Sequence, residues 1–177
     1  MSFLHDDDEF PALVRIVAAA RGITPGLVEK DYWVTHTLWA LQEQGWGLWF
    51  KGGTSLSKGF GLIERFSEDL DVKLEAGSVE GIPLVASWKS EGTTATASRL
   101  AYFEAIERTL VVPGATVVLD REQADRSHRS AMFQVRYPGA FLDDLGGALR
   151  PFVLLEEPRK PRRLKHLGFL VDMAPRS

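Results

Sequence analysis

Residues 51–74 read KGGTSLSKGFGLIERFSEDLDVKL, and this stretch decides how the remainder of the chain is interpreted. The apolar run from Leu48 to Phe50 precedes it and predicts a strand. Gly52 and Gly53 allow positive φ angles and a close approach of the backbone to a ligand, because neither carries a Cβ. Thr54 is a candidate N-cap for a short helix with one apolar face: Leu56, Phe60 and Ile63. The stretch therefore begins as a strand, a tight glycine turn and a helix.

Two aspartates lie in its second half. Asp69 and Asp71 alternate with Leu70 and Val72, which is the pattern of a strand with one apolar side. Side chains two residues apart in a strand point to the same face, so we expect both carboxylates to leave one face together. Paired carboxylates suit Mg²⁺, which commonly binds one or two of them together with substrate phosphates.

The glycine turn supplies the complementary chemistry. Backbone N–H groups at the start of a helix form a site for anions such as phosphate. A phosphate site beside metal-binding carboxylates predicts nucleotide chemistry. The structural alternative is that Asp69 and Asp71 are two solvated acids on the face of a sheet.

The composition is that of a soluble globular protein. With 177 residues, 45% of them apolar, the chain is long enough for one domain with a real core. The absence of cysteine excludes disulfides, thiolate metal sites and cysteine nucleophiles. No apolar run approaches the roughly 20 residues of a membrane span, and the acidic start is not a secretory signal. We therefore expect a cytoplasmic protein.

Charge is unevenly distributed along the chain. The net charge of −3 gives no overall nucleic-acid signature, but residues 158–166 read PRKPRRLKH. Such a segment either meets a polyanion or is a solvated tail. We expect residues 1–157 to form one domain with N-terminal helices, and residues 158–177 to be a basic tail or the start of a truncated further part.

The remaining elements follow from periodicity and breakers. They are helices from Phe10 to near Gly22, from Pro25 to near Gly45 and over 94–110, and strands over 116–119, 133–137 and 152–155. The apolar stripe of the first helix is Phe10, Leu13, Val14 and Val17. Two helices, then strand–helix–strand, then a helix and three strands indicate an α+β fold with a mixed or antiparallel sheet.

Two groups of polar residues permit more than one interpretation. Asp31 stands in the apolar stripe of the second helix, where it either pairs with Lys30 or an arginine, or braces the glycine turn from behind. Arg126, His128 and Arg129 either contact a triphosphate or an acceptor, or belong to a charged surface loop.

Other phosphate-handling motifs fit less well. Phe66-Ser67-Glu68 precedes the aspartates where a haloacid-dehalogenase-like enzyme has a strongly apolar strand. The Gly-Lys-Ser/Thr of a P-loop does not follow the glycines. A DxD glycosyltransferase, which also binds Mg²⁺ and a nucleotide, stays an alternative.

The combined pattern resembles the AbiEii-type nucleotidyltransferase toxins of bacterial toxin–antitoxin and phage-abortive systems. The residues that carry the resemblance are GGT at 52–54, Lys58, RFSEDLD at 65–71 and the segment from Glu29 to Thr35, EKDYWVT. The family is part of the DNA polymerase β-like nucleotidyltransferase superfamily. The resemblance therefore implies that fold, with a mixed sheet and flanking helices.

The resemblance also implies roles for individual residues. Asp69, Asp71 and Lys58 would be catalytic, and both aspartates would bind the metal. Glu156 would be the third carboxylate of the metal site, with Asp120 as the second candidate. The alternative for each of the two is an acid in solvent at the end of a strand. Arg65 and Ser67 would orient the aspartates. The residues that would hold the nucleotide phosphates are Gly52, Gly53, Thr54, Ser55 and Lys58.

The implied function is transfer of a nucleotide from an NTP to tRNA, another RNA or a protein, with Mg²⁺ as cofactor and a cognate antitoxin as partner. An acceptor oxygen would attack the α-phosphorus, and pyrophosphate would leave. The family carries a later lysine and aspartate on a C-terminal helical part, for which this chain is too short. The alternative is an inactive, truncated remnant that binds a nucleotide or a partner.

Overall fold

The computed structural model of the protein describes residues 2–50, 69–75, 79–123, 126–145, 150 and 152–158. For residues 48–50, 69, 71–75 and 156–158, the description concerns the backbone. The predicted helix after the glycine turn lies outside the described residues, as does the basic stretch after Pro158.

Three α-helices are described. They are α1 (Phe10–Arg21), α2 (Pro25–Glu43) and α3 (Thr93–Thr109). Helix α1 ends because Gly22 takes the left-handed conformation, with φ of 66°. Pro25 occupies the first turn of α2, where its missing N–H costs nothing. Within the described part of the chain no single helix could cross a membrane; α1 and α2 meet that test of length and composition only as a pair bent by 111°.

Five strands form one mixed sheet. They are β1 (Gly47–Phe50), β2 (Asp69–Glu75), β3 (Thr116–Leu119), β4 (Ser130–Arg136) and β5 (Val153–Pro158), in the order β1-β2-β5-β4-β3. Strands β2 and β5 are parallel, and the other neighbours are antiparallel. The predicted α+β fold with a mixed sheet and flanking helices is confirmed.

The core lies between one face of the sheet and the helices α2 and α3. Ala131, Phe133 and Val135 of β4 are buried, whereas the alternate positions are partly exposed. Register places Phe133 opposite Leu155, and Leu155 opposite Leu70, so one apolar row crosses three strands. All three side chains are fully buried. This row fixes which side of each strand faces the helices.

Several sequence expectations differ from the structure in detail. Leu13 is 41% exposed, because the buried stripe of α1 instead follows Phe10, Val14 and Ala18 at intervals of four. The last strand does not stop at Leu155 but continues to Pro158. Glu156 is therefore inside a paired strand rather than at its exposed end.

Candidate active site

The structure brings Asp71 and Glu156 together at the backbone level. Asp71 of β2 is the register partner of Glu156 of β5, and Asp69 is the partner of Leu154. Neighbouring strands lie about 4.8 Å apart, so the two acidic positions are adjacent. Both alternate with residues of the buried apolar row, Leu70 and Leu155. The acidic positions of the two strands therefore lie on the face opposite to Leu70 and Leu155, a face that also carries the buried Leu154.

The apolar row explains why the two strands meet in this register. A shift of one residue would bring Glu156 into the place of Leu155, because side chains alternate with a period of two. A buried carboxylate without partners is strongly unfavourable. The burial of Leu70 and Leu155 thus disfavours the slip that would bury Glu156, and it agrees with an alignment in which positions 71 and 156 are neighbours.

The described chain before the predicted phosphate site ends close to the same region. Gly52, Gly53, Thr54, Ser55 and Lys58 lie outside the described residues, as do Arg65 and Ser67. The last residue described before them, Phe50, is the register partner of Val72. The chain therefore enters the glycine stretch beside the neighbour of Asp71.

Asp120, the second candidate for the third carboxylate, has a local role. It follows β3, an edge strand separated from β5 by β4. Its carboxylate accepts hydrogen bonds from the backbone N–H groups of Glu122 and Gln123, at 3.1 and 3.2 Å, and from Gln134 Nε2 at 2.8 Å. These bonds make Asp120 a residue of the β3–β4 turn.

The arginines and histidine of that turn do not converge on one point. Arg126 is exposed. Arg129 Nη2 donates to the carbonyl of Lys89 at 3.0 Å and to Glu91 Oε1 at 3.1 Å. His128 has φ of 47° and lines a cavity of about 220 Å³ beside α3. These contacts favour the interpretation of this segment as a charged surface loop.

Two buried charged residues of α2 were missed by the sequence analysis. Glu29 and Lys30 of α2 are 2% and 0% exposed. The Glu29 carboxylate accepts hydrogen bonds from the N–H groups of Ala140 and Phe141 at 2.9 and 3.0 Å. Lys30 Nζ donates to the carbonyl of Arg150 at 2.7 Å. Their positions one helical turn before the buried Trp33 were a signal that both face the interior.

The acid singled out in the sequence, Asp31, lies beside this pair and is half-buried. Its backbone carbonyl accepts a hydrogen bond from the hydroxyl of Thr35 at 2.9 Å. The proposed bracing of the glycine turn involves residues outside the described ranges, so that role stays a prediction.

The electrostatics around Glu29 extend to the end of β4. Tyr137 is buried and stacks on Trp33 with ring centroids 5.0 Å apart. Burial raises the pKa of the Tyr137 hydroxyl, and the charge of Glu29 raises that pKa further. No group of three His, Asp or Glu side chains that could hold a metal occurs among the side chains that the structure describes. The side chains of Asp69, Asp71 and Glu156 are not among them.

Comparison with known proteins gives a family match. The family described as "Nucleotidyl transferase AbiEii toxin, Type IV TA system" matches residues 38–166. No significant match to the chain was found among curated proteins. Among solved structures, the chain is similar to MenT4, a nucleotidyltransferase toxin from Mycobacterium tuberculosis H37Rv, with 25% sequence identity and a TM-score of 0.49. That match covers 85% of this chain and 44% of MenT4, so the chain spans less than half the length of that relative.

Proposed function

Because this chain belongs to the AbiEii family of nucleotidyltransferase toxins of type IV toxin–antitoxin systems, we propose that it transfers a nucleotide from an NTP to an acceptor. The observation that carries this proposal is the pairing of Asp71 with Glu156 in the central parallel strands. It adds an acidic position, far away in sequence, to the Asp69–Asp71 pair. The resemblance assigned that position to the third carboxylate.

The residues present fit a divalent metal. Asp69, Asp71 and Glu156 offer hard carboxylate oxygens, which are the ligands that Mg²⁺ prefers. Three such groups on adjacent positions would repel one another without a cation between them. When bound, Mg²⁺ would neutralise part of the charge on the NTP phosphates.

The remaining groups of the site would bind and orient the nucleotide. The backbone N–H groups around Gly52, Gly53, Thr54 and Ser55 would hold the phosphates, and Lys58 would neutralise one of them. An acceptor oxygen would then attack the α-phosphorus while pyrophosphate leaves. Positioning and electrostatics supply most of the catalysis in phosphoryl chemistry, so little covalent work falls to the protein.

We propose RNA, in particular tRNA ends, as the acceptor, with protein as the alternative. The five Lys and Arg residues in 158–166 support this proposal, because a basic segment attracts a polyanion. It continues the chain directly after β5, the strand that carries Glu156. A cognate antitoxin as partner, taken from the family, and a cytoplasmic location, expected from the sequence, complete the proposal.

The proposal is tested by incubating the chain with labelled NTPs, Mg²⁺ and total tRNA, and then with total protein. We expect wild-type labelling to fall at least about 100-fold in Asp71→Asn and in Glu156→Gln, the scale seen when one electrostatic contact to a transition state is lost. Glu122→Gln, which removes an exposed acid from the β3–β4 turn, is the control and should label normally.

Two outcomes would contradict the proposal. Labelling that survives Asp71→Asn would show that these acids are not the metal site. Binding of Mg²⁺ and NTP by the wild type without transfer to either acceptor would instead support the nucleotide-binding remnant.

A further inference from the structure

The chain between β4 and β5 is held at both ends by one turn of α2. At its start, the Glu29 carboxylate accepts the N–H groups of Ala140 and Phe141. At its end, Lys30 Nζ donates to the carbonyl of Arg150, 120 residues away in sequence. Two consecutive residues of a helix thus bind the exit from one strand and the approach to the next.

The contacts between α2 and this connection are closely packed. A Cβ added to Gly26, one turn before Glu29 and Lys30, would lie 2.7 Å from the carbonyl oxygen of Phe141. A Cβ added to Gly139 would lie 2.8 Å from Glu29 Oε2. Glycine at both positions lets the helix and the connecting segment approach closely. The segment therefore cannot slide along α2 without a clash or the loss of its bonds.

Because they are buried, Glu29 and Lys30 depend on hydrogen bonds to the protein. Glu29 and Lys30 are almost completely buried, so neither can exchange a protein hydrogen bond for one to bulk water. Bonds to charged groups are stronger than those between neutral ones. A displaced connection would take a hydrogen bond from each buried charge, and the pair consequently favours one position for the chain where it approaches β5.

That approach adds to the constraints on the alignment of β5, which also has six register pairs with β4. Arg150 lies shortly before Val153, where β5 begins, and β2 pairs with β5 over three register pairs among the described residues. A shift of one residue would exchange Glu156 with the buried Leu155. We propose that Glu29 and Lys30 are positioning residues that keep Glu156 opposite Asp71. The inference rests on the proposed function, because it assigns the purpose of this alignment to the metal site.

The first test replaces Lys30 by methionine, which keeps most of the length of the side chain and removes the ammonium group. We expect the amides of residues 69–71 and 154–156 to exchange hydrogen at least tenfold faster than in the wild type. Those in the β3–β4 pairing, 116–119, should keep their wild-type rates. Mn²⁺ binding, measured by electron paramagnetic resonance without nucleotide, should weaken about tenfold.

A matched control separates positioning from loss of stability. Thr37→Val removes a buried side-chain hydrogen bond from the same helix, the 2.7 Å bond to the carbonyl of Trp33, without touching the β4–β5 connection. It should leave both the β2–β5 exchange rates and the Mn²⁺ affinity unchanged.

The absence of cysteine permits a rescue experiment. Lys30→Cys introduces a unique thiol, which can be alkylated in the unfolded chain with 2-bromoethylamine to give a close analogue of lysine. After refolding, this product should regain the wild-type Mn²⁺ affinity. The same thiol alkylated with 1-bromopropane, which adds no charge, should behave like Lys30→Met.

The outcomes are distinguishable. Wild-type exchange rates between β2 and β5 in Lys30→Met would overturn the inference, and so would faster exchange with unchanged Mn²⁺ affinity, which would make the role merely structural. If wild-type Mn²⁺ binding is absent or insensitive to Asp71→Asn, the proposed metal site itself fails, and the positioning role fails with it.

Discussion

At the scale of single residues, His5 shows how burial sets the chemistry of a side chain. Its side chain is 6% exposed and packs against the rings of Trp33 and His36, with centroids 4.6 and 4.9 Å away. His5 Nδ1 and the Tyr32 hydroxyl are 2.7 Å apart. Burial lowers the pKa of His5, the charge of His36 lowers that pKa further, and Asp6 opposes both effects. The neutral imidazole is thus the form that suits the folded chain.

This shift predicts a pH dependence of stability. The pKa of His5 is lower in the folded than in the unfolded chain, so the unfolded chain binds more protons as the pH falls below about 6.5. We expect the free energy of unfolding to fall between pH 7 and pH 5, and part of that loss to disappear in His5→Phe. Urea unfolding of both proteins at pH 7.5, 6 and 5 measures this difference. If the free energy of unfolding depends equally on pH in the wild type and in His5→Phe, the loss at low pH does not come from His5.

At the scale of elements, α2 both packs into the core and binds the β4–β5 connection. Residues at every third or fourth position of this helix are buried, among them Glu29, Trp33, Thr37 and Leu41. The apolar members build the main core, and the charged ones bind the β4–β5 connection. Gly26 has no side chain because the carbonyl of Phe141 occupies the space that a Cβ would need. Contact between two elements therefore outweighs local helix propensity at this position.

Gly26→Ala tests that balance. Alanine favours an exposed helix by about 1 kcal/mol over glycine, but here the backbone of residue 141 must move. We expect a net destabilisation of about 1–3 kcal/mol, the cost of overpacking. Ala20→Gly, on the exposed side of α1, measures the propensity term alone. A more stable Gly26→Ala protein would show that the backbone of Phe141 can move away at little cost in free energy.

At the scale of the whole molecule, buried polar side chains join distant segments. Arg99 of α3 is fully buried and donates to the carbonyls of Ser87, Ser90 and Ser127 at 2.6, 3.0 and 2.7 Å. One guanidinium thereby connects the irregular segment before α3 to the β3–β4 turn. Arginine suits this position because its planar group offers five donors in fixed directions.

Arg99→Met should cost about 3 kcal/mol, because three part-buried hydrogen bonds from one charged donor group are lost. The comparison is Arg121→Met, which breaks a 2.8 Å ion pair with Glu107 in a side chain that is 57% exposed. Exposed ion pairs contribute about 1 kcal/mol or less. Urea unfolding of both variants should show this difference, and equal losses would count against Arg99 as a connector of the two segments.

Much of the fold followed from the sequence because its signals are local. Pro25, Gly22 and the alternation around Phe133 set α1, α2 and β4 through neighbouring residues only. Burial of a helix face depends on what packs against it, which is why Leu13 was placed inside and proved exposed. Glu29 and Lys30 were missed because a charged residue is expected in solvent unless its distant partner is known.

The sequence by itself determined most of the described secondary-structure elements and the acid pair of β2, since hydrogen-bonding periods and breakers act over a few residues. It also carried the glycine motif and hence the family. Only the tertiary structure decided that Asp71 faces Glu156 across a parallel pair and that α2 holds both ends of the β4–β5 connection. The reason is that strand register and the hydrogen bonds of buried charged side chains depend on contacts between segments far apart in the chain. The packing of the whole core then selects one alignment.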